Sequence, residues 1–183
     1  LIALIQFLFI LTPIAFYYLS SLRLYLLAIS GFLGFLYSFK IQIHSFEIRL
    51  KHIFLVKNIL IGLCWGTLVL IGADNISNGI VLDLFIFASL QVFIGSSIRD
   101  LTDIAQDTLE YTQSLPVVLG FNQTLIILAA LNITSLIIFI LGQGISHYAL
   151  PALLTFAWRS LIIYKLKYSS ELKYWSQQMN LIT

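Results

Sequence analysis

Charge is what this sequence has least of. Only 10% of its 183 residues are Asp, Glu, Lys or Arg, while 60% are hydrophobic; a soluble globular domain carries roughly 25% charged residues. With a mean hydropathy of +0.97, the chain is built for lipid. That excludes a string of soluble domains and implies one membrane-embedded domain over residues 1–183. The single cysteine, Cys64, lies in an apolar run. It excludes a disulfide framework and a cysteine-rich metal site, and reads as a small buried residue, not a nucleophile. The only methionine is Met179 and residue 1 is leucine, so a processed chain or a fragment is expected. The first segment has no basic start and no small-residue cleavage site, and does not read as a signal peptide. The net charge of +2 says little by itself. No nucleic-acid partner is expected.

What the chain has in quantity is long apolar runs. A membrane-spanning helix needs about 20 mainly apolar residues. Residues 1–19, 22–39, 53–73, 80–98, 115–141 and 147–166 qualify. Ser20-Ser21 is too short a link for anything but a tight hairpin between the first two. The fifth run carries Asn122, Gln123 and Asn132. The sixth has Pro151 in its first turn, where a missing amide proton costs least. Residues 167–183 form a polar, aromatic tail. Because lipid offers no partner to a free backbone amide, the spans must be helices. The expected fold is all-α, a polytopic bundle of about six transmembrane helices with no internal repeat.

The few charges are unevenly placed. Lys40, Arg49, Lys51 and Lys57, against the lone Glu47, fall between the second and third spans; Arg99 ends the fourth; Lys165, Lys167 and Lys173 follow the sixth. Six spans bring all of these to one face, which the positive-inside rule makes cytoplasmic. The other face has Arg23. An integral protein of a prokaryotic plasma membrane is expected.

Half of the eight acidic residues crowd into one short stretch on that same face: Asp100, Asp103, Asp107 and Glu110. On a helix the i, i+3, i+7 spacing puts the three aspartates on one face, and Glu110 continues the stripe. Like charges so close repel, so something positive should lie opposite. Mg²⁺ holding a phosphate-rich ligand is the natural candidate, since it takes one or two carboxylates plus substrate phosphate oxygens. From spacing alone, a solvated connecting loop explains the run equally well. The meeting of this acid cluster with the basic loop favours a metal-bound diphosphate, its hydrocarbon tail running between the helices. Lysines that merely contact lipid headgroups leave the acid cluster unexplained.

At these residues the chain resembles the UbiA-type intramembrane prenyltransferase superfamily. Asp100, Asp103 and Asp107 match the family's second aspartate-rich motif, Asp-x-x-Asp-x-x-x-Asp, and Ser114-Leu115-Pro116-Val117-Val118-Leu119-Gly120 matches the run that follows it. Tyr37-Ser38 closing a span, the basic loop from Lys40 to Lys51, and Lys57-Asn58 entering the next span are also similar to the family. The chain departs from the pattern at Tyr111, Thr112 and Gln113, where the family often has a glycine and a basic residue. A family member has nine spanning helices and two aspartate-rich motifs; this chain has about six, and no second acid cluster. It is expected to begin near the family's third helix and to lack the ninth.

The resemblance implies transfer of a prenyl group from a prenyl diphosphate donor to a lipophilic, commonly aromatic acceptor, with Mg²⁺ as cofactor and membrane lipid as surroundings. It implies Asp100, Asp103 and Asp107 as catalytic metal ligands. Lys57 and Lys40 become candidates for the diphosphate oxygens, with Asn58, Arg99 and Tyr37 behind them. Phe35, Tyr37 and Trp65 are aromatic faces able to stabilise a cation, although single rings are more often membrane filling. Arg159, deep in the sixth span, either snorkels or reaches the acidic stripe. Asp83 reads as interfacial, and His44, His52 and His147 as surface residues. The alternative is a catalytically incomplete paralogue that binds a prenyl lipid or scaffolds a partner. A CDP-alcohol phosphotransferase would need Asp-Gly and Ala-Arg elements that are absent, and a transporter would need a charged relay or paired broken helices.

Overall fold

The computed structural model describes residues 21–38, 40–43, 46–49, 53–73, 79–143 and 149–180, with side chains for 21–35, 53–73, 79–142 and 149–169. In chain order these form helix α1 (Ser21–Ser38), strands β1 (Lys40–Ile43) and β2 (Phe46–Arg49), then helices α2 (Val56–Gly72), α3 (Gly79–Thr102), α4 (Ile104–Leu109), α5 (Leu115–Leu119), α6 (Phe121–Gln143) and α7 (Ala149–Asn180). The fold is an all-helical membrane bundle with one small exception. Where a basic loop was expected, β1 and β2 pair antiparallel, Lys40 opposite Arg49 and Ile43 opposite Phe46. The alternation of Ile41, Gln42 and Ile43 with Phe46, Glu47 and Ile48 suits a strand pair closed by two residues.

Three helices among the described residues are long and apolar enough to cross a membrane: 79–102, 121–142 and 149–169. The protein is an integral membrane protein. The expected spans at 22–39 and 53–73 appear as shorter apolar helices. At 1.5 Å per residue, the 17 residues of α2 reach roughly 25 Å, the low end of a spanning length. The expected first span lies outside the described residues. The fifth is interrupted: Gly120, at φ 83 and ψ 163, separates α5 from α6. Only glycine occupies that region at low cost. The backbone of α7 continues helically through 167–180, into the segment read as a polar tail.

The order of packing follows the chain: α1 lies on α2, α2 on α3, α3 on α6, and α6 on α7. Glycines decide the second of these contacts. A Cβ on Gly62 would stand 2.7 Å from the Ser89 carbonyl oxygen, and one on Gly66 would overlap the Ser89 hydroxyl. Small residues let membrane helices approach where burying apolar surface supplies no drive. On its other side α3 builds the core, with Ile94 and Leu101 against Leu125, Leu128 and Ile163, and Phe87 against Phe139 at a centroid distance of 5.2 Å. The polar Asn132 of α6 is buried there as a bridge. It accepts from Gln91 Nε2 at 2.9 Å and donates to Ser160 Oγ at 3.0 Å and the Phe156 carbonyl at 3.2 Å. Together α2 and α6 fix the end of α3, where the acidic stretch begins.

Candidate active site

The site forms where the start of α2 meets the end of α3. Leu55, at φ 63, precedes α2, so Lys57 and Asn58 stand in its first turn. A cation there opposes the helix dipole, and two carboxylates offset the conflict. Lys57 Nζ lies 2.5 Å from Asp100 Oδ1 and 4.0 Å from Asp107 Oδ2. Asn58 is buried and uses its whole amide: Nδ2 donates to Asp100 Oδ2 at 2.8 Å and to Ser97 Oγ at 2.9 Å, while Oδ1 accepts from Ser96 Oγ at 2.8 Å. Both oxygens of Asp100 are therefore engaged by α2.

The three aspartates do not share one unbroken helix. At Asp103 the backbone leaves helical geometry (φ −106, ψ 13). Its N–H reaches the Asp100 carbonyl three residues back at 3.2 Å, and the i→i−4 pattern resumes with Asp107 N–H to the Asp103 carbonyl at 2.9 Å. The tightened turn leaves Asp103 out of the row that the spacing would align, while Asp100 and Asp107 both face Lys57. Asp100 and Asp107 are buried. Asp103 is half-exposed at the rim, where its Oδ1 accepts from Thr102 Oγ1 at 3.1 Å.

After Asp107 the chain reverses in a Schellman turn. Tyr111 takes φ 54; its N–H bonds the Thr108 carbonyl at 3.3 Å, and the Thr112 N–H bonds the Asp107 carbonyl at 2.8 Å. Those two bonds are the signature of a left-handed helix cap. The turn buries Thr112 and Ser114 beside the site and starts α5 with Pro116 in its first turn.

Of the residues singled out from sequence, Lys57, Asn58, Asp100 and Asp107 converge. Arg99 is exposed at the end of α3, outside the cluster. Tyr37 lies in the last turn of α1 and Lys40 opens β1; their side chains, like His44, His52 and His147, lie outside the described residues. Arg159 pairs with no aspartate among the described residues. Its guanidinium lies against Gly95, where a Cβ would stand 2.5 Å from Nη2, and its buried Nε has no hydrogen-bond partner. Ser96 and Ser97 were not singled out. Their place one turn before Asp100 was the available signal.

Among the described residues, no three His, Cys, Asp or Glu side chains converge as a metal site. The donor set nevertheless suits a hard cation, because carboxylate oxygens are what Mg²⁺ prefers. One of those oxygens, Asp107 Oδ2, is buried without a hydrogen bond. Asp100 and Asp107 are the residues that would hold it, with Asp103 at the rim.

No curated protein and no solved structure matches the chain. The model of the UbiA prenyltransferase family matches it over residues 1–182. With apolar helices throughout, an acidic stretch closing one of them and a lysine–asparagine pair opening another, that match covers the whole arrangement described above: the chain belongs to the UbiA prenyltransferase family.

Proposed function

We propose that this chain transfers a prenyl group from a prenyl diphosphate to a lipophilic, electron-rich acceptor, commonly an aromatic ring. The observation that carries the reading is the convergence of Lys57 and Asn58 with Asp100 and Asp107 where two apolar helices end. Cation and anion binders sit together at the mouth, with hydrocarbon beneath. A diphosphate needs the first and a prenyl tail needs the second.

When bound, Mg²⁺ would supply charge to the diphosphate, and Asp100, Asp107 and Asp103 are the side chains to hold it. Lys57 places its ammonium on the diphosphate oxygens, where negative charge builds as the carbon–oxygen bond to the prenyl group breaks. Lys40, Arg99 and Tyr37 are further candidates for those oxygens. Asn58 keeps the Asp100 carboxylate in one orientation through both Ser96 and Ser97. The allylic carbon left by the diphosphate becomes cationic and is captured by the acceptor, which sheds a proton to the released diphosphate, while the apolar helix faces keep out the water that would quench the cation. The site opens to the cytoplasm, and the membrane is a prokaryotic plasma membrane.

Membranes carrying the full chain should be incubated with labelled prenyl diphosphates of graded length, with and without Mg²⁺. Mg²⁺-dependent transfer of label to a lipophilic product supports the reading. Binding of the prenyl lipid with no turnover at any chain length would favour the non-catalytic alternative.

A further inference from the structure

Among the described residues, the acid–lysine cluster is one positive charge short. Asp100 and Asp107 bring two negative charges and Lys57 brings one positive charge. All three side chains are largely sequestered, at 4%, 13% and 16% exposure. A buried charge without full compensation is costly. The shortfall falls on one atom: Asp107 Oδ2 stands 4.0 Å from Lys57 Nζ and receives no hydrogen bond from the described residues. Asp100, by contrast, has Lys57 on Oδ1 and Asn58 on Oδ2.

We propose that Lys57 is an exchangeable stand-in for a divalent cation, so that the ammonium and the metal compete for the same two carboxylates. The inference rests on the reading of this cluster as a diphosphate site. A divalent cation shared by Asp100 and Asp107 brings their joint charge to zero and satisfies Oδ2 of Asp107. An ammonium 2.5 Å from one of those oxygens then faces a doubly positive neighbour and is expelled. The diphosphate gives the expelled charge a new partner. Lysine suits the part, being a compact charge on a flexible four-carbon stem. Asn58 suits the other part: anchored by Ser96 and Ser97, it holds Asp100 in place whichever cation is present.

Linkage follows. A metal alone must strand the Lys57 charge, and a diphosphate alone must approach two aspartates; together they avoid both costs. Each therefore tightens the binding of the other by one common factor, in the usual range of roughly 5–150-fold.

The test uses the purified full chain in lipid nanodiscs with Mn²⁺ and inorganic pyrophosphate, and no prenyl compound. Amine-reactive labelling of Lys57 is followed by mass spectrometry. Mn²⁺ should speed labelling of Lys57 in the unmodified chain, and pyrophosphate added with Mn²⁺ should slow it again. In Lys57→Met, Mn²⁺ alone should raise the unfolding temperature more than it does in the unmodified chain. Asp107→Asn should abolish the Mn²⁺ effect on labelling. The proposal is overturned by a labelling rate that Mn²⁺ leaves unchanged in the unmodified chain, by an Mn²⁺ effect on labelling that persists in Asp107→Asn, or by a Lys57→Met protein that gains no more from Mn²⁺. The labelling comparison needs no variant, so it decides the matter even where Lys57→Met fails to fold. A labelling response without prenyl transfer would sink the proposed function and leave the exchange standing.

Discussion

Asn58 Nδ2 stands 2.8 Å from Asp100 Oδ2, so the first turn of α2 holds the last turn of α3 through a fully buried amide. With Ser96 and Ser97 bonded to the same amide, no polar atom of Asn58 is idle. A buried polar network of this kind rigidifies when complete and becomes a liability when one member is removed.

Asn58→Ala should therefore destabilise the protein by about 1–3 kcal/mol, the cost of leaving buried partners unsatisfied. Asn58→Asp should be worse, because it sets a second carboxylate against Asp100. Thermal unfolding in one detergent ranks the three proteins. Equal stability of Asn58→Asp and the parent would contradict the described network.

Gly120 tests the junction between α5 and α6. Its φ of 83 and ψ of 163 lie where a side chain costs on the order of 1–3 kcal/mol. A Cβ there meets no atom within 4 Å, so the penalty is backbone strain, not collision. Gly120→Ala and Gly120→Ser should lose similar stability. A loss that grows steeply with side-chain size would point to crowding instead.

Gly62 and Gly66 make the opposite case, since an added atom meets Ser89 at both positions and Phe85 at Gly66. Overpacking a fitted contact costs roughly 1–3 kcal/mol. Because α2 carries Lys57 and α3 carries Asp100, Gly66→Leu should also displace the ion pair and lower activity beyond its effect on folding. A Gly66→Leu protein with parental stability and turnover would contradict this packing.

Tyr111 is strained for the sake of the turn. Its φ of 54 belongs to the left-handed region, which costs a residue with a side chain roughly 1–2 kcal/mol. At 87% exposure it gives up little contact when replaced. Tyr111→Gly should stabilise the protein by up to about 1 kcal/mol, after glycine's own entropy cost. A drop in unfolding temperature would show that the ring makes contacts beyond those described here.

Much of this is legible in the sequence. So little charge leaves the membrane class in no doubt, and the two apolar stretches expected between Lys57 and the acidic run bring them to the same face. The break at Asp103 was not legible. The i, i+3, i+7 argument assumes an unbroken helix, and nothing in Leu101-Thr102-Asp103 announces a tightened turn. The strand pair at 40–49 was missed because a four-residue alternation is too short to stand out beside charges that already suggested a loop. Ser96 and Ser97 were overlooked since serines in a membrane helix usually bond their own backbone. Only the approach of Asn58, licensed by two glycines further along α2, reveals their use.

The most direct measurement is the rate of pyrophosphate release from a labelled prenyl diphosphate, with Mg²⁺, by the full chain and by Asp107→Asn. Removing one negative charge while keeping the side chain's shape should slow release by about 10²–10³-fold, the scale of losing one preorganised electrostatic contact. An Asp107→Asn protein that releases pyrophosphate at the parental rate would contradict the assignment of this acid–lysine cluster as the diphosphate site.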